Sequence, residues 1–147
     1  KTDTFTTTSS SFTDLTGLTA DITPSASDSK VMILVSVSGQ ASQSESAVGS
    51  LTIYKGGSDF LTAKLGSSPG SRTHMFLNKA IGADSTTTGY ETFTYNYIDS
   101  PSSTSQLTYN VKIKSGDTFY VNTIENPDNA AARPRGISTI TLMEIGA

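Results

Sequence analysis

The sequence predicts an all-β domain, built as a sandwich or a barrel of antiparallel strands. Short apolar segments recur roughly every 10–15 residues, which is the strand spacing of such folds. Thr and aromatic residues, which favour strands, dominate these segments, while Ser and Gly fill the connections. No stretch carries apolar residues at helical spacing over two full turns, so we expect almost no helix.

Length and composition limit the class of protein. The 147 residues fit one domain, residues 1–147, of which 1–12 are expected to form an N-terminal arm or strand. The absence of cysteine excludes disulfides and thiolate metal sites. A net charge of −3 with scattered Lys and Arg argues against a nucleic-acid partner. The longest apolar run is far below the ~20 residues of a membrane-spanning helix, so we expect no membrane insertion.

The first half of the chain contains six predicted elements. Five are strands, in chain order Thr4–Thr8, residues 18–22, Lys30–Ser38, Val48–Tyr54 and Phe60–Leu65. Pro24 ends the second, because proline cannot donate to a strand ladder. Residues 55–58 are expected to form a hairpin turn, since Gly56 and Gly57 readily take positive φ. Residues 73–81 are expected to form a sixth strand or a short helix.

The second half alternates more clearly. Residues 91–99 place aromatic side chains on one face and Thr or Asn on the other, and residues 107–114 alternate in the same way. Two further strands are expected at Phe119–Asn122 and at residues 137–145. Asp99 is expected to form an Asx turn before Pro101. Residues 123–136 are predicted to be a long loop, with one helical turn as the alternative.

Two of these strands are apolar on both faces, which raises the question of what covers the outer face. In residues 31–37 the odd positions share one face, whereas Met32 and Leu34 occupy the other. Ile140 and Leu142 likewise share one face of the final strand. If the two strands pair, these four side chains are predicted to form one subunit interface. The alternative is cover by a loop or by Phe5 and Phe12 of the same chain.

The sequence gives little sign of catalysis. The single histidine, His74, has no nucleophile elbow nearby, and most carboxylates lie in turn contexts. No calcium-loop spacing, phosphate loop or dinucleotide fingerprint is present, so we expect no metal and no cofactor. The chain is therefore predicted not to be an enzyme.

Four residues are candidates for ligand contact. Tyr90 and Tyr120 are less constrained by strand alternation than the other tyrosines, and are candidate platforms for stacking a sugar. Arg133 and Arg135 place two guanidinium groups just before the last strand. They are candidates to pair with carboxylates of another subunit, or with an anionic glycan or phosphate. An ordinary solvated loop is the default alternative for the arginines.

Three segments together carry a family resemblance. They are "FTDLTGLTADITPSASDSKVMILVSVSG", "YIDSPSSTSQLTYNVKIKSGDTFYVN" and "PRGISTITLMEI". This succession resembles virion proteins of tailed bacteriophages, of the marine or cyanophage type, over residues 12–147. The resemblance implies a jelly-roll sandwich of about eight to ten strands, similar to the trimeric heads of tumour necrosis factor and complement-type proteins. It also implies a homotrimer that buries one sheet of each subunit around the three-fold axis.

The expected function follows from this resemblance. The chain is expected to lie on the exterior of a phage particle, as a host-recognition domain at a tail-fibre tip acting by multivalent attachment. Its expected partners are other virion proteins, with a host-surface glycan or protein as candidate receptor. Loops 39–47, 66–72, 82–89 and 125–135 are the candidate contact surfaces. The alternatives are a decoration protein that stabilises the capsid through residues 1–12, a carbohydrate-binding module, and a glycan depolymerase.

Overall fold

A computed structural model describes residues 1–42, 48–61, 64, 70, 75–80, 89–125 and 135–146. Over these residues it contains strands and no helix, which confirms the all-β prediction. In chain order the strands are β1 Phe5–Thr7, β2 Thr13–Ile22, β3 Lys30–Ala41, β4 Val48–Lys55, β5 Ser58–Asp59, β6 Leu77–Ala80, β7 Glu91–Asp99, β8 Leu107–Ser115, β9 Phe119–Val121 and β10 Thr139–Ile145.

The strands form two antiparallel five-stranded sheets. In the first sheet, one edge of β3 pairs with β7 and the other pairs with β10 and then β9, beyond which lies β1. In the second sheet, β8 lies between β2 and β4, and both β5 and β6 pair with the far edge of β4. Strands far apart in the sequence are therefore neighbours in a nested order. This confirms the predicted jelly-roll β-sandwich.

The core lies between the sheets and follows the alternation of the sequence. Every second residue of β3 and β8 is buried, because successive side chains of a strand point to opposite faces. The fully buried apolar side chains of the central strands are Val31, Ile33, Val37, Leu51, Ile53, Val111 and Ile113. The aromatic residues of β7, which were expected to share one face, pack against this core.

The predicted strand Phe60–Leu65 is wrong at Phe60, Leu61 and Lys64, whereas residues 62, 63 and 65 lie outside the described part of the chain. Gly56 and Gly57 both have positive φ, so the chain reverses within two residues and pairs Ser58 and Asp59 with Lys55 and Tyr54. The observed strand begins at Ser58, two residues before the predicted start, and the Phe60 side chain is buried in the core. For residues 73–81 the strand alternative is correct over Leu77–Ala80, which pairs with β4.

A buried carboxylate joins the two sheets at one end of the sandwich. Asp99, at the end of β7, is 1% exposed and lies 2.7 Å from Lys55 Nζ of β4. Tyr109 of β8 donates its hydroxyl to the same carboxylate oxygen over 2.7 Å. Burial and this hydrogen bond raise the pKa of Tyr109. The Asx turn expected of Asp99 is wrong, because Pro101 has no N–H to donate.

The N-terminal segment docks onto its own chain. β1 pairs with β9, opposing Phe5 to Val121. Asn122, at φ 58° and buried, donates from Nδ2 to the carbonyl oxygens of Lys1 and Asp3 at 3.0 Å. Ser138 donates its hydroxyl to Asn122 Oδ1 over 2.7 Å, which fixes the amide. Of the two expectations for residues 1–12, an arm or a strand, the structure therefore has the strand.

Candidate functional site

The four predicted interface residues do not share a face. β3 and β10 do pair, but the register sets Ile140 opposite Val35 and Leu142 opposite Ile33. Directly opposed residues point to the same side of a sheet, so Ile140 and Leu142 turn towards the core and pack against it. Met32 and Leu34 point to the outer face instead. The prediction that all four residues form one surface is therefore wrong.

The outer face of the first sheet carries a different apolar set. Met143 of β10 lies opposite Met32 of β3, and Ile98 of β7 lies opposite Met32 from the other side. Met143 is 44% exposed and Ile98 is 46% exposed. We call these three side chains the apolar row. Leu34 lies on the same face, one step along β3, between Thr141 and Asn96.

The sequence held a signal for part of this row. Ile98 is the single large apolar residue on the polar face of β7, and the alternation of that strand makes it anomalous. The predicted shielding by aromatic rings of the same chain is not found. Phe5 packs against the core between the sheets, whereas Phe12 lies beside Lys114 on the second sheet. Met32 and Leu34 are themselves half-buried.

Tyr90, predicted as a platform for stacking a sugar, is half-buried, and its hydroxyl is packed inside the protein. A Cβ atom at position 136 would overlap this hydroxyl and would also crowd Ser38, so Gly136 makes the approach possible. Burial raises the pKa of Tyr90, and contacts with Ser38 and Gly136 offset part of that effect. The Tyr90 hydroxyl therefore lies between Ser38 of β3 and Gly136, ahead of β10, and is not presented to a ligand.

The other candidate contacts lie near the same end of the first sheet. Tyr120 is half-buried on β9, between Thr6 and Gln40, and burial followed by the charge of Glu125 raises its pKa. Arg135 is exposed and precedes Gly136, the residue that Tyr90 contacts. Arg133 lies outside the described residues, as do most residues of the four predicted contact loops.

The outer face of the second sheet is polar, and hydrogen bonds join its side chains. Asp14 of β2 accepts a hydrogen bond of 2.6 Å from Asn110 Nδ2 and lies 3.2 Å from Lys112 Nζ. Thr108 donates its hydroxyl to Asp21 over 2.6 Å. Thr19 of β2 and Tyr54 of β4 lie on the same side of this sheet, as does Thr52 of β4, which is fully buried. We call this outer surface the polar face.

Aromatic rings interrupt the polar face on either side of β8. Lys112 Nζ lies 4.4 Å from the centroid of the Tyr54 ring, on the β4 side. Lys114 Nζ lies 4.9 Å from the centroid of the Phe12 ring, on the β2 side. Both distances are within the ~6 Å range of a cation–π contact. Each ring is therefore held by a lysine of the central strand.

The part of the chain that the structure describes contains no group of three or more metal-ligating side chains. His74 lies outside it. Within the same residues there is no helix that is long and apolar enough to cross a membrane.

Comparisons with known proteins add no family. No protein-family model matches the chain, and no curated protein matches it significantly. The fold is thus an all-β jelly-roll sandwich in which the outer face of the first sheet carries the apolar row among polar side chains and the outer face of the second sheet is polar. The resemblance to phage virion proteins stays a prediction from the sequence.

Proposed function

We propose that this chain is a non-enzymatic structural protein of a phage virion. It acts as a host-recognition domain of the tail-fibre type on the exterior of the particle, and it works as a homotrimer by multivalent attachment. The observation that carries the proposal is the apolar row on the outer face of the first sheet, formed by Met143, Met32 and Ile98.

Exposed apolar side chains in register on a sheet favour contact with another protein surface. Each gains roughly 25 cal/mol for every Å² of apolar surface removed from water. A row that crosses three neighbouring strands forms a patch, whereas single exposed apolar residues are ordinary. A second copy of the chain offers the same patch, and most soluble oligomers are built from identical copies with closed symmetry. The resemblance in the sequence favours three copies.

Association of this kind suits attachment. Three identical domains present three identical sites on one rigid scaffold, and linked weak sites gain about 10²–10⁴ in avidity when all can engage. Such a scaffold requires no catalytic group.

The two leading alternatives differ in support. Capsid decoration relied on residues 1–12 as an arm that adds a strand to a capsid protein, but β1 already pairs with β9 of its own chain. A carbohydrate-binding module is favoured by the polar face with its aromatic rings. This second candidate is compatible with attachment, because a glycan is one of the expected receptors.

Two measurements on the particle test the proposal. Cryo-electron microscopy is expected to place the density of this chain at the tip of a tail appendage, as a threefold assembly. Purified chain is expected to compete with particles for adsorption to host cells. The variant Met32→Asp, as a monomer, is expected to compete at least roughly tenfold less well. Density spread over the capsid lattice, together with particle adsorption that the purified chain leaves unchanged, would favour decoration and contradict the proposal.

A further inference from the structure

The polar face has hydrogen-bonding groups held ready in fixed positions. The Asp14 side chain is 66% exposed, yet both Asn110 and Lys112 hold it. A carboxylate accepts about four hydrogen bonds, so Asp14 retains acceptor capacity towards solvent. Asp21 is likewise exposed while it accepts from Thr108. A ligand at this face would meet donors and acceptors that need little further ordering.

The chemistry of the polar face fits a sugar. Each sugar hydroxyl both donates and accepts, and this face offers carboxylates beside amide, hydroxyl and ammonium groups. Tyr54 is partly exposed on this face, and an aromatic ring offers the apolar surface that the C–H side of a pyranose prefers. Lys112 holds that ring from one direction, so its orientation is set before a ligand arrives.

Charge selects among sugars. The carboxylates of the polar face are Asp14, Asp21 and Asp59, the last opposite Tyr54 in β5. Among the described residues, the ammonium groups of Lys112 and Lys114 lie on this face, and that of Lys1 lies beside Gly17 of β2. The face therefore lacks the excess of positive charge that would attract an acidic polysaccharide or a nucleic acid. A neutral glycan meets no such penalty.

A cavity lies at one end of the same face. It has a volume of about 290 Å³ and is lined in part by Ser10, Ser50, Met75 and Lys114. Ser50 and Lys114 oppose each other in the β4–β8 pair, at the end of the sheet remote from Tyr54. Small-molecule sites are commonly concave and of a few hundred Å³. One end of a short oligosaccharide bound on the polar face would therefore lie in this cavity.

We propose that the polar face of the second sheet binds a neutral oligosaccharide. Tyr54 is the stacking platform, Asp14 and Asn110 hydrogen-bond the sugar hydroxyls, and the cavity beside Lys114 receives one end of the chain. The inference rests on the attachment function above, for which it names the receptor chemistry. It places the site on a strand surface, opposite the sheet that carries the apolar row.

Calorimetric titration of the purified full chain tests this assignment. The probes are cellohexaose, laminarihexaose, maltohexaose and mannohexaose, with an oligogalacturonate as the acidic comparison. At least one neutral probe is expected to bind. Tyr54→Ala is expected to weaken that binding about tenfold, the effect of losing one aromatic contact. Tyr54→Phe retains the ring and is expected to stay within about threefold.

Two further variants complete the design. Asp14→Ala removes an exposed acceptor with little risk to folding, and is expected to weaken binding roughly fivefold. Asn96→Ala, on the outer face of the first sheet, is the matched control and is expected to leave binding unchanged. Thermal unfolding of each variant confirms that the sandwich is intact.

Four results would overturn the assignment. The first two are that no neutral probe binds and that only the acidic probe binds. The third is that folded Tyr54→Ala and Asp14→Ala both bind as tightly as the unchanged chain. The fourth is that Asn96→Ala loses binding. The titration requires no trimer and no particle. A monomer that binds a neutral probe contradicts only the assembly in the attachment proposal. A trimer that binds none contradicts only the glycan site.

Discussion

The outer faces of the two sheets differ in chemistry although the central strands β3 and β8 alternate in the same way. On the first sheet, Met143, Met32 and Ile98 meet in one row. On the second, Asp14 is held by Asn110 and Lys112. The first face gains free energy when another surface covers it, whereas the second would lose hydrogen bonds to water. We therefore assign association to the first face and ligand contact to the second.

The largest expected effect comes from placing a charge in the apolar row. Met32→Asp puts a carboxylate at the centre of the row, where burial against another copy would strip it of water. Association is expected to weaken by at least roughly a hundredfold, measured by sedimentation velocity at micromolar concentration. Thr19→Glu, an exposed position on the polar face, is the control and is expected to leave the assembly unchanged. Equal dissociation of both variants would remove the distinction between the faces.

The next-largest effect is expected at the buried Asp99 carboxylate, which joins the two sheets. Asp99→Ala leaves Lys55 and the Tyr109 hydroxyl without their acceptor inside the sandwich. The free energy of unfolding is expected to fall by about 3 kcal/mol, at the low end for a buried pair because Lys55 retains some exposure. Asp21→Ala, which removes an exposed carboxylate from the polar face, is expected to cost under about 1 kcal/mol. Urea unfolding of both variants makes the comparison, and equal losses would contradict it.

A smaller effect is expected at the end of the first sheet. Gly136→Ala forces a methyl group against the Tyr90 hydroxyl and Ser38. Overpacking of this kind costs about 1–3 kcal/mol, to be measured by thermal unfolding. Adding Tyr90→Ala to this variant is expected to restore part of the loss, since the overlap is then removed. If Gly136→Ala is as stable as the unchanged chain, the Tyr90 hydroxyl does not pack against Gly136.

The smallest effect concerns the stability of the folded chain at low pH. Hydrogen bonds from the Ser25 hydroxyl and the Ser25 backbone N–H lower the pKa of Glu144 below its ordinary 4.5. A depressed pKa stabilises the folded chain above the ordinary value, and this stability is lost as the pH falls through the folded value. The unfolding temperature is therefore expected to drop less between neutral pH and pH of about 3 in Glu144→Gln than in the unchanged chain. An identical drop in both would show that the Ser25 contact carries no stability.

Alternation in the sequence predicted the all-β class and the inner residues of β3, β7 and β8. It failed for the interface because β10 is apolar on both faces, so only the register with β3 decides that Ile140 and Leu142 turn inward. Asp99 was missed because its partners come from β4 and β8, which no local pattern reveals. The polar face was hidden for the same reason: Asp14 and Asn110 lie 96 residues apart.

The most direct test of the account is the solution mass of the unaltered chain. Light scattering behind a sizing column, at micromolar concentration, is expected to give three times the 15.4 kDa of one chain. The same measurement on Met32→Asp is expected to give the mass of a single chain. A single-chain mass for the unaltered protein, across the accessible concentrations, would contradict the assignment of the apolar row to association.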